Sequence, residues 1–253
     1  MRVFTLEKTV PLKLMFLDNE LDLVDIKSFE LTFTLETDGT PYEDARAAQI
    51  DQNVSFSKLI YFLESVVDQS FVYIKDDAHV INRFLATNFN NNLIVVPDIS
   101  ENFFTLALHR KMNNIVAEHT IVERITLKDL DNKLTYEYFC NDKTEEIELP
   151  TNEEWMGELS YFEEPWWDRD DASTFDNYAE DQAEYDAWVK HKEDNDTVIN
   201  PHNIVFDEIE KDLKKLFKQA FNKEDGNDEP QEAEVIEIDF ANKPEKKWIP
   251  KIV

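Results

Sequence analysis

Two groups of carboxylates invite a search for metal chemistry. Asp76 and Asp77 follow the apolar run Phe71–Ile74, and Asp98 follows the run Leu93–Val96, with His79 and His109 nearby in sequence. In an α/β sheet, ligands gather beyond the carboxyl ends of strands, so these acids form the candidate site of a metal-dependent hydrolase or nuclease. The same acids also stand where helices start, and capping a free helix end needs an acid there without any metal. Capping is the preferred reading. A second group, Asp168-Arg169-Asp170-Asp171 beside Trp166 and Trp167, offers three carboxylates to magnesium or calcium, but it lacks the glycine turn and alternating oxygen spacing of a dedicated calcium loop.

Other chemistries find less support. The histidines do not recur at the four-residue helical spacing of a zinc site, and no serine or threonine sits in an elbow context. Cys140 is the single cysteine; it reads as a core residue late in a strand, cannot form an internal disulfide, and fits a reducing cytosol. Only three glycines occur (Gly39, Gly157 and Gly226), too scattered to build a phosphate-cradling loop or a dinucleotide fingerprint. The expectation is a binding protein rather than an enzyme, without a cofactor.

Charge points to the partner. The net charge is −29, and residues 145–200 carry 19 acids against three bases (Arg169, Lys190 and Lys192), a net of −16. Four of the five tryptophans, Trp155, Trp166, Trp167 and Trp188, lie in that segment, whereas a solvating acidic linker is poor in aromatics. Such a field repels phosphate, so direct nucleic-acid binding is not expected. Its converse is a basic protein partner, a nucleic-acid-binding protein among the options, met through Glu163, Glu164, Trp166, Trp167, Asp168, Asp170, Asp171, Asp176, Glu180 and Glu184. Duplex DNA presents one negative charge per ~1.7 Å of axis, and a protein face of similar density can occupy a basic cleft as a nucleic-acid mimic and inhibitor. Assembly onto a basic neighbour, as in a virus particle, is the alternative. Lysine outnumbers arginine 20 to six, which argues against a halophile's acidic surface. Abundant Asn, Lys, Ile and Phe with few Gly and Arg are associated with small AT-rich genomes, those of bacteriophages included.

The elements that would position these residues alternate. Phe29, Leu31, Phe33 and Leu35 read as a half-buried strand. Thr40-Pro41-Tyr42-Glu43 opens a helix reaching about Val67, with a break expected near Asn53. A strand at Phe71–Ile74, a helix near 78–87, a buried strand at Leu93–Val96 and a helix capped by Ser100 follow. Ile121 to Leu127 and Leu134 to Phe139 form a hairpin across Asp129-Leu130-Asp131-Asn132. Residues 151–172 read as a loop pinned by buried Trp166 and Trp167. Ser173-Thr174-Phe175-Asp176 should cap a helix to about Lys192 that aligns Asp176, Glu180 and Glu184 on one face, like charges that oppose folding. A last helix runs from Asn200-Pro201 to about Asn222, with Val205, Ile209, Leu213, Leu216 and Ala220 as its stripe.

The fold class is α/β or α+β, a mixed β-sheet with packed helices. An α/β core domain occupies 1–149, an acidic aromatic-rich module with two helices 150–222, and a flexible linker and tail 223–253, including the strand-like Val235–Phe240. No run is long and apolar enough for a membrane span, and no signal peptide is read at the start, so the expected location is cytoplasmic, the host cytoplasm for a viral protein.

Overall fold

The computed structural model describes residues 3–18, 23–41, 45–74, 92–140, 149–176, 178–194 and 206–215. Asp76, Asp77, His79, the helix expected near 78–87 and the tail from 223 onward lie outside them. The expected mixed sheet with packed helices is present. Six strands stand in the order β4-β3-β1-β2-β5-β6, formed by β1 (Val3–Asp18), β2 (Leu23–Asp38), β3 (Phe71–Ile74), β4 (Leu93–Val96), β5 (Thr120–Asp129) and β6 (Thr135–Phe139). β1, β2, β5 and β6 pair antiparallel with one another in sheet order, while β3 and β4 are added in parallel on the free side of β1.

The sheet's two faces follow from alternation, shifted once in β5 by a bulge at Glu123 opposite Thr34 and Leu35. Val10, Leu12, Leu14 and Phe16 of β1, Phe29, Leu31, Phe33 and Leu35 of β2, and Val122, Ile125 and Leu127 of β5 are buried in one core. α1 (Ala45–Tyr61), the π-helical turn Phe62–Val67 that continues it, and α2 (Glu101–Ile115) contribute to the same core. The opposite face carries a second, smaller apolar cluster of Leu17 and Phe71 with Met15, Tyr73 and Leu93 at its β3 side, and is polar toward β5 and β6. Thr9 and Thr32 share a hydrogen bond of 2.9 Å, Arg124 pairs with Glu7 and Glu137 at 2.9 and 3.8 Å, and Lys128 pairs with Glu30 at 3.2 Å. Oppositely charged cross-strand pairs keep this face at home in water.

β1 is the long strand that the sequence reading did not mark, because Pro11 interrupts it. Proline is tolerated where its missing N–H is not needed. Lys13 and Met15 point their N–H groups away from β2, to Asp68 Oδ1 and the Ser70 carbonyl. Pro11 has the same parity, beyond the reach of β3, which pairs only at Met15 and Phe16, so no ladder bond is lost.

Local chemistry explains other boundaries. The Ser100 hydroxyl accepts the Phe103 N–H and caps α2, while Asp98 accepts from both the N–H and the hydroxyl of Ser100. The hairpin turn is closed by Asp129, whose carboxylate accepts the N–H groups of Asp131 and Asn132. α1 crosses Asn53 without the expected break. Cys140 corrects the reading of a core residue: it is exposed, one position past the last β5–β6 pair at the sheet margin. A final described helix, α5 (residues 206–215), buries Phe206, Ile209 and Leu213 in the main core, with Phe206 edge-on to Tyr61 at 5.9 Å. No helix among the described residues is long and apolar enough to cross a membrane.

Candidate functional site: the acidic aromatic segment

Thr151 begins the segment with a reciprocal cap, its hydroxyl accepting the Glu154 N–H and Glu154 accepting the Thr151 N–H. The short helix α3 (Asn152–Trp155) ends at Gly157, whose φ of +90° closes the turn back onto the Asn152 carbonyl. Trp155 stacks on Trp167 at 5.3 Å, Trp166 meets Trp167 edge-on at 5.4 Å, and Phe103 of α2 meets Trp167 at 5.7 Å. Trp166 and Trp167 are fully buried, as the sequence led us to expect. The Trp166 indole donates to the Val95 carbonyl at 2.7 Å, whereas the Trp167 N–H finds no acceptor among the described residues and contributes by volume.

Cations inside the segment hold its backbone. Lys111 projects from α2, fully buried, and donates to the carbonyls of Trp166 and Arg169 at 2.7 and 2.8 Å and to Asp171 at 3.2 Å. Burial depresses its ammonium to about 8, with Asp171 opposing. Asp171 sits below the usual carboxylate range because Lys111, Ser173 and Arg169 together outweigh its own burial. Arg169 is an organising hub: it bonds Asp176 at 2.5 Å, the carbonyls of Glu164 and Phe175, and the Ser173 hydroxyl, with its guanidinium 4.1 Å from the Phe162 ring centre. Burial pushes Asp176 upward, opposed by Arg169 and the Trp166 N–H.

The segment also closes a sheet edge. The outer side of β4 presents Leu93 O, Val95 N and Val95 O; the Thr174 hydroxyl and carbonyl and the Trp166 indole satisfy all three. Unpaired strand edges are a liability for association, and here side chains and one loop cover the edge.

This arrangement overturns the expected helix at 173–192. Helix α4 spans Gln182–Asp194, and Asp176 and Glu180 lie outside it, so Asp176, Glu180 and Glu184 do not form one helical stripe of like charges. The bonds that Thr174 makes to β4, and that Asp176 makes to Arg169 and Trp166, hold residues 173–176 out of a helix; they outcompete the serine cap read from sequence. Ser173 instead gives its N–H and hydroxyl to Asp171. Glu184 is a local anchor: its carboxylate accepts the Glu180 N–H at 2.8 Å and bonds Tyr161. Glu184→Ala is therefore expected to cost about 1 kcal/mol, the scale of a lost helix-start cap, while exposed Glu180→Gln stays within about 0.5 kcal/mol. Chemical denaturation measures both; equal effects would remove the anchoring role.

The sequence candidates thus divide. Trp166, Trp167 and Asp176 lie inside the protein and position the surface. Asp168 pairs with Arg110 at 2.6 Å, and Asp171 turns to Lys111. Asp98 is occupied with Ser100. The three carboxylates at 168–171 do not converge, and no three His, Cys, Asp or Glu among the described residues are arranged to hold a metal ion. His109 is also engaged, one ring nitrogen 2.8 Å from the Val122 carbonyl, and burial lowers its pKa. What stays outside is acidic: Glu153, Glu154, Glu158, Glu163, Glu164, Asp170, Glu180, Asp181, Glu184 and Asp186 are exposed. Sequence reasoning missed Lys111, although a lysine on the stripe Phe104, Ala107, Leu108, Ile115 was a visible signal. It also missed Arg169 as a hub; nothing in its local pattern announces that role.

No family model matches the chain, and no curated protein matches its sequence. Solved structures that it resembles include an uncharacterised protein from Wolinella succinogenes, at TM-score 0.32 and 9% identity over 56% of this chain and 100% of that one. Another is 6-pyruvoyl tetrahydropterin synthase of Caenorhabditis elegans, at TM-score 0.33 and 11% identity over 56% of this chain and 98% of that one. Likenesses at these values carry no argument about activity.

Proposed function

We propose that the chain is a non-enzymatic binding protein that engages a basic protein partner through the exposed acids of residues 153–186, and that a nucleic-acid-binding protein is the partner type its charge suits. One observation carries the reading: the segment uses its cation Arg169 internally and displays its carboxylates externally. Between Thr151 and Lys190 the exposed acids face water with Lys190 as the only exposed base among the described residues. The buried tryptophans and the Lys111 network fix the backbone beneath them, so the charges are presented in a preorganised array. Preorganised charge chiefly raises association rate and selects partners by sign.

The test is capture of partners from a cell lysate by the full chain at low and high salt. Basic proteins should be retained and then released by salt, since exposed charges are screened within about 10 Å at 0.1 M ionic strength. Nucleic acid added to the captured partner should compete with this chain. The variant Glu163→Gln, Glu164→Gln, Asp170→Asn alters only exposed side chains. It should fold with unchanged Tm and retain less partner. Capture indifferent both to salt and to these substitutions would refute the proposal.

A further inference from the structure

The acidic segment also carries half-buried aromatic rings beside its acids, which a purely electrostatic surface does not need. Tyr161 stacks on Trp188 of α4 at 4.9 Å with the ring planes 24° apart, and Tyr185 lies 6.0 Å from Trp188. Glu184 precedes Trp188 by four residues on α4, and Asp181, which accepts the Glu184 N–H at 2.9 Å, stands one residue before the helix, so both acids lie beside these rings. The paired stretches around Ser160 and Tyr178 add Phe175 and Tyr178, which are 42% and 38% exposed. Aromatic faces carry negative charge density, and flanking carboxylates reinforce it.

The segment already shows which cation such a setting accommodates. Arg169 lays its guanidinium over Phe162 at 4.1 Å while Asp176 binds it at 2.5 Å. A planar guanidinium can stack and pair with a carboxylate at once, whereas a compact ammonium is held chiefly as a point charge. Resting on the acidic binding role proposed above, we infer that the Tyr161–Tyr185–Trp188 platform receives arginine side chains of the partner, making the surface selective for arginine-rich over lysine-rich segments.

The experiment compares oligoarginine and oligolysine peptides of equal length as probes, using the full chain at low and high salt. The arginine peptide should bind about tenfold tighter, the scale of a partly desolvated cation–π contact, and should quench tryptophan emission. Trp188→Leu should remove that preference while leaving oligolysine binding in place. Should that variant fail to fold, Trp188→Phe keeps a smaller, less electron-rich ring in the stack and should narrow the preference. Equal affinity for the two peptides overturns this inference and leaves the acidic binding role standing. Binding of neither peptide overturns both. Concentration-dependent dimerisation abolished by Trp188→Leu would assign the platform to a second copy of this chain and also overturns the inference.

Discussion

Lys111→Met lowers the unfolding free energy by about 3–5 kcal/mol, the scale of breaking a buried ion pair, and the Tm by about 10 °C. The methionine fills similar volume but leaves Asp171 without its buried cation and the carbonyls of Trp166 and Arg169 without a donor. Coupling identifies the cause: Asp171→Asn in the Lys111→Met background should cost less than Asp171→Asn alone, by about 1 kcal/mol or more. A pH series provides a second readout. The folded ammonium releases its proton near pH 8, while an unfolded lysine holds it to about 10.4. Between those values the unfolded chain binds more protons, so this group makes stability climb with rising pH. Subtracting the Lys111→Met curve from the wild-type curve should reveal that climb. Additive substitutions and a flat difference would show that Lys111 is merely a packed side chain.

Trp166→Ala should cost about 3–5 kcal/mol, as large core truncations do, and should also loosen the acidic segment. The substitution opens a cavity beside Trp167 and leaves the Val95 carbonyl unbonded at the β4 edge. Trp166→Phe separates the two losses, keeping much of the volume and removing only the donor, at about 1–3 kcal/mol. Limited proteolysis gives the regional readout: new cleavage should appear within 158–176 in the alanine variant, before the sheet is attacked. A variant that melts in one step with no early cleavage there would show that the segment and the sheet unfold together.

Most of the sheet was legible because its side chains obey simple periods. Phe29 to Leu35 alternate, Leu93 to Val96 run without polar residues, and Ser100 and Asp129 stand where a cap and a turn need them. Those signals are local and need no partner. β1 was missed because Pro11 reads as a break unless one knows which side of the strand lacks a neighbour. The helix expected at 173 failed for a related reason. Its serine cap is a weak local preference, and it lost to bonds made by β4, Arg169 and Trp166, whose sequence separations reach 81 residues. The short helix at Thr151 was read as loop, although its threonine and glutamate three apart were a capping signal. For the candidate site, composition located the acidic aromatic segment and anticipated the burial of Trp166 and Trp167. Which acids stay exposed depends on the internal placement of Lys111 and Arg169, a tertiary property.

The covered β4 margin makes the sheet one-ended. Among the described residues the outer margin of β6 pairs with no strand, whereas that of β4 is taken by Trp166 and Thr174. A molecule with two open margins can add copies at both and grow into a fibre. With a single open margin, two molecules joined through β6 around a two-fold axis would have none left to offer, so such growth would stop at the pair.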